Sequence, residues 1–413
     1  MLQGLALEEP RLTVRPRRSI LRRRPGFSAT VAALLAFLVA ATTVLAVNGR
    51  LLLPFDKVVT LEGGMGSKAE YFEDAEVQRL LLRHGIRVHI TPLGSQEIAR
   101  GGLSRFDFVL PSGLPSANAI TDRRKQAGTY VKAFHPFVSP LVLATYRVYA
   151  QTLEDHGIAV PRIVDGQRER PLYYTLHLRD FLLKSADGTK WEDLGIQRHG
   201  TTNKNRILAS TSNICQSNSA ETYLAEVAYT MGDPPDTVPD ETTVAAVTAK
   251  IRPLLTAQGL PRPDVFAPYV SVDGPLLAPV VVAYEHQYLA HQVRYYTEHH
   301  RIDTDRVLLY PEARFVTEPQ LLALNQDGDR LGELVTQDPG LRRRAVALGF
   351  HTLGDQTDSG ELTDYLHARG IPVFESPAGD TRALMPNQTV LDEMVDAVGG
   401  CRTPGRPTAG ATP

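Results

Sequence analysis

The stretch Val58-Val59-Thr60-Leu61-Glu62-Gly63-Gly64-Met65-Gly66-Ser67-Lys68 decides the fold. Its apolar start reads as a buried strand, and its Gly, Ser and Lys read as a short loop before a helix that begins near Ala69. Ser67-Lys68-Ala69-Glu70 matches the S-x-x-E capping box. Val77, Leu80 and Leu81 then give one buried helical face, which Gly85 terminates. The arrangement recurs twice. Ile86, Val88 and Ile90 alternate into Leu93-Gly94-Ser95-Gln96, and Phe108-Val109-Leu110 runs into Pro111-Ser112-Gly113. Strand–loop–helix units in series build a parallel sheet whose strand ends meet at one edge. Free backbone N–H groups and helix N-termini line such an edge, so the pattern predicts an α/β domain with a small-molecule cleft.

Outward from this unit, the same logic returns in a second region. Leu141–Ala144 reads as a strand. Arg206–Ser210 reads as another, followed by the polar run Thr211–Ser219 and a helix over about 220–231. Val280–Tyr284 is a continuous apolar strand before a helix over about 285–296, and Val307–Tyr310 is the last clear central strand. Leu362–Arg369, Val373-Phe374 and Val390–Val398 form a small α/β extension over 352–400, and 401–413 reads as a disordered tail.

The chain has 413 residues, too many for one ordinary domain, and 43% hydrophobic content, enough for large cores. Residues 1–26 hold seven arginines against Glu8 and Glu9, whereas the body is mildly acidic, which argues against nucleic acid as a partner. Phe27 to Val47 is a run of 21 uncharged residues, long enough to cross a bilayer. The arginine cluster sits on its N-terminal side only, which predicts residues 1–26 in the cytoplasm and the body outside. The expectation is a single-pass anchor over 27–47; cleavage after Ala46 would instead give a secreted protein. Cys215 and Cys401 are the only cysteines, and they read equally as a disulfide or as two thiols.

The candidate ligand-binding residues are Gly66, Ser67, Lys68, Ser95, Ser112, Ser212, Ser217, Asn218 and Tyr284. Glycine lets the backbone approach a guest, hydroxyls donate and accept, and Lys68 adds a cation beside a helix start. Ser, Thr and Asn at a strand end suit a polar or anionic solute, and Tyr284 with Glu285 ends a buried strand at the same edge. Gly64 to Ala69 fits G-x-G-x-x-A, but strand two ends in His89-Ile90-Thr91 without the acid that holds a ribose. No cofactor is therefore expected. Neither is a metal: His286 and His291 lie five apart, and Asn325-Gln326-Asp327-Gly328-Asp329 reads as a turn between strands. No G-x-S-x-G elbow or paired carboxylates point to a catalytic group.

Taken together, these segments resemble bacterial extracytoplasmic solute-binding proteins of the periplasmic-binding-protein type II fold. The likeness is carried by Gly66-Ser67-Lys68, Gly94-Ser95, Ser139-Pro140-Leu141-Val142-Leu143-Ala144, Lys190-Trp191-Glu192-Asp193-Leu194, Ser210-Thr211-Ser212 with Ser217-Asn218-Ser219, and Ala278 to Glu285. It covers roughly residues 55–350. The apolar segment lacks a lipobox cysteine, and the stretch after about 352 has no counterpart. The resemblance implies two lobes joined by two or three crossovers, with the ligand between them and closure by a hinge. Lobe one would be 55–143 plus 300–350, and lobe two 144–283. The implied function is capture of a small polar solute for a membrane transporter or a sensor subunit, without catalysis. An α/β hydrolase using a loop serine and a ligand-free membrane scaffold are the alternatives.

Overall fold

The computed structural model describes residues 36–37, 58–66, 68–93, 98, 101–111, 113–164, 169–259, 264–313, 315–354, 357–358, 360–374 and 385–401. The chain divides into two units, Met1–Lys57 and Val58–Pro413. In the first, only Ala36 and Phe37 are described, both helical and exposed. The basic segment, the rest of the expected anchor over 27–47, and tail residues 402–413 lie outside the described residues. Among the described residues no helix is long and apolar enough to cross a membrane.

The second unit begins with β1 (Val59–Met65), α1 (Glu70–Glu73), α2 (Ala75–Arg83), β2 (Ile86–Pro92), β3 (Phe108–Leu110), α3 (Leu114–Gln126) and β4 (Lys132–Phe134). β1 pairs parallel with both β2 and β3, as the repeated strand–loop–helix pattern predicts. Gly63 is required where β1 passes Phe108, because a Cβ there would sit 2.3 Å from the ring. The single helix expected after Ala69 is two. Asp74 takes an extended conformation and accepts from the N–H groups of Glu76 and Val77, so a second N-cap interrupts the first turn. The N-cap of α1 is Ala69, and Ser67 of the expected capping box lies outside the described residues.

β5 (Phe137–Tyr146) then carries the chain into a second sheet. Phe137 packs in the core of the first lobe and Leu141 in that of the second. The second lobe adds α4 (Arg147–Glu154), β6 (Ala159–Arg162), β7 (Tyr173–Leu176), α5 (Leu178–Ala186), α6 (Asn218–Met231), α7 (Val244–Thr256), α8 (Phe266–Val270), α9 (Gly274–Leu277), β8 (Val280–Tyr284), α10 (Glu285–His299) and β9 (Arg306–Pro311). β8 and β9 both pair antiparallel with β5, and β7 lies parallel to β9. The chain returns through β10 (Val316–Thr317) to β11 (Leu321–Ala323), completing a first sheet of order β2-β1-β3-β11-β4. α11 (Gln326–Gln337) and α12 (Pro339–Ala347) cover one face of it, and α3 covers the other. β12 (His351–Gly354) pairs with β5 and with β13 (Thr357–Asp358); α13 (Glu361–His367) and α14 (Gln388–Gly399) end the described chain. The chain thus passes between lobes three times: at β5, between β9 and β11, and at β12.

Several expected boundaries move. β9 belongs to the second lobe, between β5 and β7, so residues 300–311 are not part of lobe one. α10 also packs there through Tyr288, Leu289 and Val293, beyond the expected limit at 283. Of the expected extension over 352–400, the described stretches 362–374 and 390–398 do not stand apart. Leu362, Ile371, Phe374, Leu391 and Met394 fill the second lobe's core, Phe374 stacks on Tyr310 at 4.0 Å, and Tyr173 donates to the Pro372 carbonyl at 2.6 Å. Val373-Phe374 is buried but forms no strand. Cys215 and Cys401 form a disulfide that ties the segment before α6 to the end of α14. Arg206–Ser210 is not a continuous strand, because it changes partner midway: Ile207 donates to Thr189, whereas Ser210 pairs with Val280 and Val282. Asn325 begins α11 rather than a turn between strands, its side chain accepting from Gly328 N–H at 2.9 Å.

Candidate ligand site

The ends of β1 and β8 supply opposite walls of one crevice of about 140 Å³. Lobe one contributes Lys68 and Glu70. Lobe two contributes Ser212, Ser217, Ser219, Asp264, Val265, Phe266, Val282, Tyr284 and Gln287.

Lys68 dominates the lobe-one wall. Its φ is +79°, a left-handed conformation that costs a residue with a Cβ about 1–3 kcal/mol and persists where surroundings enforce it. The side chain is 1% exposed, and Nζ sits 3.8 Å from the centroid of the Tyr284 ring, across the lobe boundary. Nζ has no hydrogen-bond partner among the described residues. Burial lowers the Lys68 pKa to about 7, against the opposing pull of the Glu70 charge.

Glu70 opens α1 and remains 45% exposed while surrounded by the crevice walls. Its Oε1 accepts from His286 Nε2 at 2.7 Å. Burial works to raise the Glu70 pKa, but the His286 hydrogen bond and neighbouring positive charge outweigh it and hold it low. His286 is itself buried, which pushes its pKa down against the attraction of Glu70. A neutral imidazole with its proton on Nε2 fits every contact: Nε2 donates to Glu70, and Nδ1 accepts from Ser139 Oγ at 2.9 Å. Ser139 Oγ also accepts from the His286 backbone N–H at 3.2 Å, and the ring stacks on Phe350 at 4.0 Å.

The lobe-two wall is built from a pinned loop and a helix start. Ser210 pairs with both Val280 and Val282, and Thr211 exchanges two hydrogen bonds with the Gln258 side chain, fixing Ser212 at the end of β8. Ser217 occupies the N-cap of α6, but its hydroxyl bonds Ser219 Oγ at 2.9 Å and makes no capping bond. The positive end of this 14-residue helix therefore faces the crevice beside two hydroxyls. Tyr284 is held from behind: Asn218 Nδ2 donates to its hydroxyl at 2.8 Å. Asp264 accepts from Phe266 N–H at 2.8 Å and Ala267 N–H at 3.3 Å.

Of the residues expected from sequence, Lys68, Ser212, Ser217 and Tyr284 meet in the crevice. Asn218 stands behind Tyr284, bonded to it and to Thr222, rather than on the wall. Gly66 is the turn before Lys68, its N–H reaching the Leu110 carbonyl at 3.4 Å. Ser67, Ser95 and Ser112 lie outside the described residues. Glu285 does not face the crevice but is enclosed by Tyr310 Oη at 2.5 Å and His351 Nε2 at 2.6 Å. Sequence reading missed Glu70, Asp264 and Gln287. Glu70 was visible as the capping-box acid, so its role at a helix start masked its position in the crevice. Asp264 and Gln287 carried no pattern. Among the described residues no three His, Cys, Asp or Glu side chains cluster to hold a metal.

No protein-family model matches the chain, and no curated protein matches it. Solved structures do. The sulfate-binding protein SubI from Mycobacterium tuberculosis H37Rv aligns at 14% identity and a TM-score of 0.42, covering 76% of this chain and 92% of that one. Iron-bound HitA from Pseudomonas aeruginosa aligns at 12% identity and 0.47, covering 83% and 99%. A periplasmic thiamin binding protein aligns at 10% identity and 0.41, covering 83% and 96%. All three similarities lie below a TM-score of 0.5, and the two α/β lobes rest on the strand pairing within this chain itself.

Proposed function

We propose that this chain is a membrane-anchored extracytoplasmic binding protein that captures a small polar or anionic solute between its lobes, for a transporter or a sensor subunit. The observation that carries the reading is the Lys68 amine. It is buried, lacks a hydrogen-bond partner among the described residues, is held in a strained backbone conformation, and lines a crevice shared by both lobes. A buried cation with no hydrogen-bonded partner among the described residues is costly in a folded protein, and a guest with a negative group supplies that partner. The positive end of α6 and the Ser212, Ser217 and Ser219 hydroxyls complete an anion-accepting wall. Ser67, Ser95 and Ser112 are proposed to join them from the lobe-one loops. Three connections between lobes form the hinge about which the crevice closes. The run over 27–47 is the proposed anchor, and the Cys215–Cys401 disulfide supports an oxidising compartment for the body.

A catalytic reading has one observation in its favour. Ser139, His286 and Glu70 are hydrogen-bonded in series, as a serine nucleophile, base and acid would be. Ser139, however, lies within β5 at 0% exposure, so no substrate carbonyl reaches its Oγ. The series is better understood as a device that fixes Glu70 from behind.

The test is equilibrium binding by the full chain, read by calorimetry and thermal shift against small carboxylates, amino acids, sulfate and phosphate. The proposal expects saturable one-to-one binding with a rise in melting temperature and no turnover. Absence of binding across the panel contradicts it.

A further inference from the structure

The crevice is not a simple anion site. Its charged lining residues are Lys68, Glu70 and Asp264, so two carboxylates face one ammonium. The α6 N-terminus adds roughly half a positive charge. Such a lining repels a bare dianion, because like charges in a partly dry crevice are poorly screened. It equally disfavours a simple cation, because the buried amine would then remain without a partner. The opposite charges are also not fused into an internal salt bridge. Lys68 Nζ rests on the Tyr284 ring, whereas Glu70 bonds His286 and Asp264 bonds backbone N–H groups. Each pole is held by its own support.

We infer that the guest is a small zwitterion, with its anionic end on Lys68 and the start of α6 and its ammonium end between Glu70 and Asp264. This rests on the binding function proposed above and narrows it to one ligand class. The volume agrees. At about 140 Å³ the crevice has room for several waters and admits a molecule the size of a small amino acid. The two carboxylates come from different lobes, so the ammonium end would bridge the lobes and favour the closed arrangement.

The experiment is calorimetry on the full chain with glycine, L-alanine, L-serine and taurine against acetate, methylammonium, sulfate and phosphate. At least one zwitterion should bind tenfold or more tightly than acetate and than methylammonium, since each of these carries one pole alone. The double variant E70Q/D264N should lose at least tenfold in zwitterion affinity and gain in affinity for sulfate. Should the variant fail to fold, the ranking in the unaltered chain decides the matter. Sulfate or phosphate binding more tightly than every zwitterion overturns this inference and leaves the binding function standing. Methylammonium binding as tightly as the zwitterions also overturns it. No binding by any member overturns both.

Discussion

Lys68 and Asp303 are buried almost equally, at 1% and 4% exposure, yet the protein treats their charges in opposite ways. Asp303 is enclosed by partners. His291 Nε2 lies at 2.9 Å, Arg306 Nη1 donates at 2.8 Å, and the Asp305 N–H donates at 2.9 Å. Although burial acts to raise it, these bonds hold the Asp303 carboxyl far below its ordinary pKa. Among the described residues, Lys68 Nζ has an aromatic face and the more distant charge of Glu70, but no hydrogen-bond partner. The first arrangement stabilises the fold between α10 and β9. The second costs stability, and in the proposed function a guest completes the interaction. A satisfied buried charge marks architecture, and an unsatisfied one at a crevice marks a site.

The largest way to sharpen this contrast is Asp303→Ala. Removing the carboxylate leaves Arg306 half-buried without its counter-ion, and the cost should be about 3–5 kcal/mol in denaturant unfolding. The melting temperature should fall while ligand affinity in the folded fraction stays within about twofold. A stable Asp303→Ala protein would break the comparison.

Lys68→Met should do the reverse. Displacement of the Lys68 pKa from 10.5 to about 7 corresponds to a penalty on the order of 4–5 kcal/mol on the buried charged form. Replacement by an apolar side chain should recover part of it, on the order of 2–4 kcal/mol of unfolding free energy at pH 6. Ligand affinity should drop at least a hundredfold in the same protein. The pH dependence fixes the sign. Below about pH 7 Lys68 is charged in both states, so the penalty is fully present. Between about 7 and 10.5 the unfolded chain keeps the proton that the folded chain releases, so stability rises with pH. The advantage of Lys68→Met over the unaltered chain should therefore shrink between pH 6 and pH 10. An advantage independent of pH would assign it to packing instead.

The smallest expected effect is that of Asn218→Ala. It removes the donor to the Tyr284 hydroxyl and should cost about 1–2 kcal/mol of stability, with roughly tenfold weaker binding because the ring beneath Lys68 loses its anchor. Unchanged affinity would show that Tyr284 needs no such support.

The sequence carried β1, β2 and β3 because these strands and loops are contiguous and their parallel order follows from the repeat, but not β4 or the antiparallel β11, which joins from residue 321. Ser217 at a helix start and Tyr284 at a strand end were legible and line the crevice, whereas Ser212 lines it from a segment that is not the strand its sequence suggested. What it could not carry is long-range. His286 meets Glu70 across 216 residues, and Asp264 reaches the crevice from a stretch with no periodicity. The lobe boundaries failed for the same reason. β9 and the residues around Phe374 have the composition of any buried segment, and only packing against β5, β7 and Tyr310 decides which core they fill. The helix expected from Ala69 is divided because Asp74, a strong N-cap, starts α2 with two backbone bonds.

The central claim is that Lys68 is a buried cation whose partner arrives with the guest. Direct titration of the Lys68 Nζ by nitrogen-15 NMR in the full chain tests it, first empty and then saturated with the tightest binder among glycine, L-alanine, L-serine, taurine, acetate, sulfate and phosphate. The account predicts a midpoint near 7 in the empty protein and a rise of more than one pH unit on loading, as the anionic group favours the charged amine. A midpoint near 10.5 in the empty protein, or one that loading leaves unmoved, would contradict it.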